Sequence, residues 1–270
     1  GMRVHRLRPE SHRPLAPEAV EAELNAHPEV RALMLVHHET DLGLVNPLRE
    51  LCQVARRRGV LAVVDAVSSL GGIELDMDGW GVDVCISVAN KCLGGPGGVS
   101  PVGVGPRAWA AVDDGRPKAA GWYLNLATWR RYVRSMGDWH PHPATVPTGA
   151  IAALGAAVEE VREEGMERRL ARHAASARRT RDGLGELGFE MLVADEWASP
   201  VTTAVWARPG MDVADYQEWL RQRHRLLIGG GLGELSGRIF RVGHMGAAAD
   251  PAVVDTFLRA TADYLAERRL

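Results

Sequence analysis

Short apolar runs alternate with stretches of helical spacing through the first half of the chain. Residues Pro17–Ala26 read as a helix, and Ala32–Val36 is an apolar run of strand length. After the polar turn Glu39-Thr40-Asp41-Leu42-Gly43, residues 47–58 repeat apolar side chains at Leu48, Leu51, Cys52, Val54 and Ala55 and stop at Gly59, a helix with a glycine terminator. Leu61–Asp65 is a second buried strand and residues 82–88 a third. Strands of this length separated by helices predict right-handed crossovers and a mainly parallel sheet. In such sheets ligands sit beyond the carboxyl ends of the strands, where residues 38–40, Asp65 and Lys91 all fall.

After Pro147 the texture changes. Thr148–Glu164 and residues 166–187 are rich in Ala, Glu, Arg and Leu at helical spacing, separated by Gly165. Short strands are expected at 189–193, Thr202–Trp206, 226–228 and 238–242, with helices near 213–223 and Pro251–Arg268. The expected organisation is a major α/β domain over residues 1–147, then a connecting helix and a smaller α+β domain over 148–270. At the other end, Gly1-Met2-Arg3-Val4-His5-Arg6-Leu7 alternates like a strand from the first residue, as if the chain were entered partway through a sheet.

Charge narrows the function classes. With 34 acidic against 32 basic residues there is no electrostatic footprint for nucleic acid or an anionic membrane. No apolar run reaches about 18 residues, and a signal-peptide pattern is missing. Three cysteines without a Cys-x-x-Cys pair argue against a disulfide framework or zinc site and for reduced thiols in a cytoplasmic protein. His37-His38-Glu39 has the residue types of a metal site, but neighbours on a strand point to opposite faces. The glycine-rich Gly94-Gly95-Pro96-Gly97-Gly98 lacks the ending of a nucleotide-binding P-loop.

Lysine use is the sharper signal. Of the 32 basic residues, 30 are arginine, and only Lys91 and Lys118 are lysine. Arginine replaces lysine on a surface but cannot attack a carbonyl carbon as a neutral amine. Lys91 lies just past the 82–88 strand and before the glycine loop, where a lysine could hold an aldehyde cofactor as a Schiff base; an ordinary exposed loop lysine is the plainer alternative. Pyridoxal phosphate makes most use of such a lysine, and its ring nitrogen needs a carboxylate partner. Asp65, ending an apolar strand, suits that role. It equally suits capping a helix that starts near Val67.

The runs His38-Glu39-Thr40-Asp41-Leu42-Gly43, Val64-Asp65-Ala66-Val67-Ser68-Ser69-Leu70-Gly71-Gly72, Asp78-Gly79-Trp80-Gly81-Val82-Asp83, Asn90-Lys91 and Pro96-Gly97-Gly98 together closely resemble the class V aminotransferases. The resemblance continues through Glu164-Gly165, Arg172-His173, residues 228–233 and Arg241-Val242-Gly243-His244-Met245-Gly246, and is strongest to the alanine/serine–glyoxylate and serine–pyruvate branch. It implies the fold-type-I architecture and pyridoxal 5'-phosphate as cofactor. Lys91 would form the internal aldimine and shuttle the proton. Asp65 would pair with the pyridinium nitrogen, Val67 would press on the ring, and Thr40 would reach the phenolic oxygen. Arg241 would clamp the substrate carboxylate, and His142 and Thr145 would reach the phosphate across a homodimer interface. The implied reaction moves an amino group from alanine or serine to glyoxylate or pyruvate. A lyase or desulfurase of the same fold, and a catalytically silent shortened domain, are the alternatives.

Two departures stand out. Asn90 occupies a position where the family usually has Gln for the phosphate. The family's amino-terminal phosphate-binding turn and stacking aromatic have no counterpart after Gly1, which leads to the expectation of either a fragment of a longer enzyme or a shortened product.

Overall fold

A computed structural model describes residues 3–114 and 121–270 of the chain. Lys118 lies outside these residues. Helix α1 (Pro17–Ala26) opens with proline in its first turn and buries Val20 and Leu24. β1 (Ala32–Val36) is next, then the small antiparallel pair β2 (His38–Glu39) and β3 (Leu44–Val45). α2 (Leu48–Arg57) buries the predicted face Leu48, Leu51, Cys52, Val54 and Ala55. β4 (Leu61–Asp65), the one-turn helix α3 (Met77–Trp80), β5 (Val84–Ile86) and β6 (Val102–Val104) complete the major sheet. Its order is β1-β4-β5-β6, with the first three strands parallel and β6 antiparallel on the edge.

The structure adds α4 (Pro106–Asp114) and α5 (Leu126–Met136), the latter capped by Asn125 Oδ1 on the N–H groups of Ala127 and Thr128. Two long helices come next, α6 (Thr148–Glu164) and α7 (Met166–Glu186), broken at Gly165 with φ +81° as the glycine predicts. β7 (Thr202–Trp206), α8 (Val213–His224), β8 (Gly229–Gly230), β9 (Ile239–Gly243) and α9 (Pro251–Arg268) then build a three-stranded antiparallel sheet of order β7-β9-β8 with helices packed on it. Tyr216, Phe240, Phe257 and Tyr264 fill its core. Among the described residues no helix is long and apolar enough to cross a membrane.

Five expectations change. Residues 3–9 form no strand ladder; Arg3 and His5 turn their side chains to Glu29 instead. The helix expected near Val67 is a tight turn, because Gly71 at φ +89° ends it and Gly72 must pack tightly. A Cβ on Gly72 would lie 2.6 Å from Val201 Cγ1 and 2.8 Å from Cys92 Sγ. The third strand is confined to Val84–Ile86, although Ser87 and Ala89 still donate to Pro101 and Val99. At 189–193 only an isolated bridge, Met191 to Val205, is present, and the strand expected at 226–228 begins instead at Gly229, since Gln217 Nε2 takes the Ile228 carbonyl.

The contact between the two sheets sets the position of the Lys91 loop. Ile73, Cys92 and Val201 form a buried apolar cluster there, with Val45 and Met245 packed on it. Arg169 on α7, 5% exposed, sends Nε to the Gly71 carbonyl at 2.9 Å and Nη2 to the Cys92 carbonyl. Glu164 accepts from Arg169 Nη1 at 2.6 Å and from Arg172 Nε at 2.7 Å, and Arg172 Nη1 continues to the carbonyls of Gly246 (2.7 Å) and Ala249 (2.8 Å). His173 Nε2 accepts the Gly246 N–H at 3.1 Å, so its Nδ1 carries the proton donated to the Arg169 carbonyl at 2.8 Å, and burial pushes its pKa down. One carboxylate and three basic side chains thus tie the Lys91 loop to the loop after β9.

The Arg172 and Arg169 hydrogen bonds hold the Glu164 carboxyl down at about 2, from an ordinary 4.5. A depressed folded value means that the stabilisation is complete above the unfolded value and is lost as the pH falls from about 4.5 through about 2. Glu164→Gln should therefore lower the unfolding free energy by about 2 kcal/mol near neutral pH, allowing for partial solvent screening, and by progressively less below pH ~4. Urea unfolding across that range checks this; a deficit independent of pH would contradict it.

Candidate active site

The three parallel strands end in register, Val36 beside Asp65 and Asp65 beside Ile86. Backbone pairing carries one residue further, His37 N–H to the Asp65 carbonyl (2.9 Å) and Ala66 N–H to the Ile86 carbonyl (2.8 Å). The segments leaving the three strands are therefore delivered to one edge: the run 38–41 from β1, the turn 66–70 from β4, and the loop with Lys91 from β5. This is the edge where an open parallel sheet collects ligands.

Ser68 is the hub of that edge. Its buried hydroxyl accepts from Thr40 Oγ1 at 2.9 Å, lies 2.9 Å from His38 Nδ1 and donates to the His38 carbonyl at 3.2 Å. His37 uses a separate partner, Ser69 Oγ at 3.0 Å, so the two histidines share no ligand point, as their alternation predicts. Burial pushes both imidazoles down, His37 to about 4 and His38 to about 3; His38 is pushed further by the neighbouring charges of His37 and Lys91. Both are neutral at physiological pH. The Nε2 of His38 is buried and has no hydrogen-bond partner among the described residues. An orphan polar atom of this kind is a sign of a missing ligand.

Lys91 is half-buried in a loop closed by Gly94 N–H on its own carbonyl (2.9 Å) and by Gly95 N–H on the Ala89 carbonyl (2.8 Å). The next side chain, Cys92, is 1% exposed in the apolar cluster, which anchors the loop from below. Gly246, at φ +57°, packs against it from the second sheet's side; a Cβ there would stand 3.4 Å from the Lys91 carbonyl oxygen. Glycine takes that φ without the strain a side chain would bring.

Asp65 is exposed rather than enclosed, and its Oδ1 takes the Val67 N–H at 2.8 Å. The capping role is thus real, on a turn rather than a helix, and leaves Oδ2 without a cationic partner among the described residues. Its charge, after burial and together with Asp41, raises the pKa of half-buried Glu39. The edge accordingly concentrates carboxylates that a bound cation would satisfy. Val67 is half-buried beside Asp65.

Arg241 comes from β9, and its side chain crosses to the first sheet. Nε donates to the Gly230 carbonyl at 2.7 Å and Nη1 to the Thr40 carbonyl at 3.2 Å, with Asp41 Oδ1 3.8 Å away. Gly229 makes room for it: a Cβ there would lie 3.4 Å from Nε and Nη2. The guanidinium is thereby held rigidly, with Nη2 uncommitted among the described hydrogen bonds.

Of the residues singled out from sequence, Thr40, Asp65, Val67, Lys91 and Arg241 gather around this edge. Asn90 is next to Lys91 but exposed. His142 and Thr145 are not brought to it. His142 Nδ1 donates to the Ala144 carbonyl at 2.9 Å and its ring packs against His140, while Thr145 is exposed. Sequence reasoning assigned no role to Ser68, Arg169 or the orphan nitrogen of His38. Spacing offers one usable signal: Arg169, Arg172 and His173 recur at three- and four-residue intervals, which puts them on one face of α7.

Known proteins place this geometry. The family model for aminotransferase class-V matches residues 1–233. A pyridoxamine–pyruvate transaminase of Mesorhizobium japonicum is 34% identical over 243 residues, covering 87% of this chain and 59% of the relative. An uncharacterized aminotransferase of Methanocaldococcus jannaschii is 32% identical over 240 residues, covering 89% and 61%. The crystal structure of an alanine–glyoxylate aminotransferase from Nostoc sp. superposes with a TM-score of 0.88 at 32% identity, covering 94% of this chain and 66% of that one. The chain therefore spans about three-fifths of the length of these curated relatives. With the matched model covering most of its residues and the two-sheet architecture superposing on a solved relative, the chain belongs to the class V aminotransferase family and has the fold-type-I architecture.

Proposed function

We propose that this chain carries a pyridoxal-phosphate-dependent transamination between a small amino acid, alanine or serine, and a short 2-oxo acid, glyoxylate or pyruvate. One observation carries the reading: a single sheet edge presents a lysine amine, a carboxylate lacking a cation and a rigidly held guanidinium, around a buried imidazole nitrogen with no partner among the described residues. The residues fit the cofactor on chemical grounds. Lys91 Nζ would bond its aldehyde carbon, Asp65 would accept from its ring N–H, Val67 would pack on the ring, and Thr40 Oγ1 would meet its phenolic oxygen. Asn90 would lie near the phosphate.

When bound, pyridoxal phosphate supplies an electron sink for the pair released as the amino acid's α-proton leaves. The chain's own groups do the rest. Lys91 Nζ would take the α-proton and deliver it to the cofactor's C4′, and would carry a proton the other way, from C4′ to the α-carbon, when the 2-oxo acid is the substrate. Arg241 Nη2 and Nη1 grip the substrate carboxylate, and the bonds to Gly230 and Thr40 pre-set that grip, so little rotamer entropy is lost on binding. Asp65, already fixed by Val67 N–H, holds the ring proton in place. His38 remains neutral and adds no competing cation beside Lys91.

His142 and Thr145 are proposed to act from a second copy of the chain. Exposed Trp139 (76%) in the segment that bears them, with exposed Leu124 (88%) and Trp122 before α5, the latter donating Nε1 to the Pro143 carbonyl, support an interface there. The desulfurase alternative needs a reactive thiol. In this chain all three cysteines are buried, and burial pushes Cys52 and Cys92 to about 12 and Cys85 upward, which favours transamination. Unpaired thiols also support a reducing, cytoplasmic setting.

Titration with pyridoxal phosphate should produce a visible absorbance band that Lys91→Ala abolishes; a band unchanged in that variant would overturn the reading. Amino-acid addition alone should convert one equivalent of cofactor and then stall until a 2-oxo acid is added, whereas a lyase would continue. Arg241→Lys should lower kcat/KM for the amino acid about 100-fold, from losing roughly 2–3 kcal/mol of paired charge-assisted bonds.

A further inference from the structure

The amino-terminal segment meets the end of α1 through His5, His27 and Glu29, none of them assigned to the candidate active site. His27 comes directly after α1, its N–H on the Glu23 carbonyl at 3.0 Å, and Val30 N–H on the His27 carbonyl at 3.1 Å closes a turn that sets His27 and Glu29 side by side. His5 reaches the same point from the segment before α1. Its Nε2 lies 3.7 Å from Glu29 Oε1, as does His27 Nδ1, and the three ligand atoms all fall within 4.8 Å of one another.

Three features make this more than a surface ion pair. His5 Nε2 is buried without a hydrogen-bond partner among the described residues. The two imidazole rings lie 3.9 Å apart, close enough to turn one nitrogen each to a shared point. The other nitrogen of His27, Nε2, faces Glu23 Oε1 at 3.3 Å, a carboxylate placed to accept its N–H when Nδ1 binds a metal ion. Two nitrogen lone pairs and a carboxylate then converge, and among the described residues the cation beside them is Arg3, whose exposed Nη2 stands 3.5 Å from Glu29 Oε1.

We propose that His5, His27 and Glu29 form a binding site for a divalent transition metal ion of zinc type, which fastens the amino-terminal segment to the end of α1. Two imidazoles and one carboxylate are a zinc donor set, with water in the fourth position. The 3.7 Å separations exceed by a few tenths of an ångström the roughly 3.4 Å between ligands of a tetrahedral ion bound at ~2.0–2.1 Å, a closure that side-chain rotation provides. The thiols do not compete, because Cys52, Cys85 and Cys92 are all buried. Of the remaining histidines, the half-buried His140–His142 pair, with rings 4.7 Å apart, is the rival site the test must separate.

Calorimetric titration of the chain with zinc chloride should show one saturable site, weakened at least ~10-fold in His5→Ala and in His27→Ala and unchanged in His140→Ala. Replacing zinc by Co2+ in the unmutated chain should give the visible absorption of a low-symmetry nitrogen and oxygen site, a readout that needs no variant to fold. An aquo-ion spectrum, absence of saturable binding, or binding lost in His140→Ala but retained in His5→Ala would each overturn the proposal.

Discussion

Arg169 holds the arrangement together. Its guanidinium is buried at the contact between the two sheets and takes the carbonyls of Gly71, in the turn that follows Asp65, and of Cys92, the residue after Lys91. An unpaired charge there would be strongly destabilising, so Glu164 is required as well as Arg169. Through Glu164 the same network engages Arg172 and so the Gly246 loop that lies beyond Arg241 on β9. Amine, carboxylate and guanidinium come from distant parts of the chain, and a single ionic knot sets their separation.

The fold was legible where periodicity is strong. The faces of α2 and α7, and the parallel run β1, β4, β5, come directly from apolar runs of helical spacing or strand length, although β1 leaves Met34 and Val36 exposed. It was illegible where one residue decides by contact. The turn at 66–70 has the composition of a helix start, and only the closeness of Gly72 to Cys92 and Val201 determines that it is not one. The strand expected at 226–228 begins later because Gln217, eleven residues earlier, occupies the Ile228 carbonyl.

The candidate site divides in the same way. Lys91 was legible because lysine is so rare here, and Asp65 because it ends an apolar strand. Ser68 and His38 carry no distinguishing pattern; their importance is a matter of which hydroxyl meets which ring nitrogen. Asp65 also has the geometry for both roles weighed for it, one carboxylate oxygen fixing a turn while the other stays available. His142 and Thr145 belong to a surface that a single copy of the chain does not fold onto its own strand ends.

Lys91 is central as the residue proposed to bond an aldehyde cofactor. Borohydride reduction after incubation with pyridoxal phosphate, followed by peptide mass mapping, tests this directly, since the chain offers only two lysines. A single phosphopyridoxyl adduct on the peptide containing Lys91 is the predicted result; an adduct on Lys118 alone, or none, would contradict it.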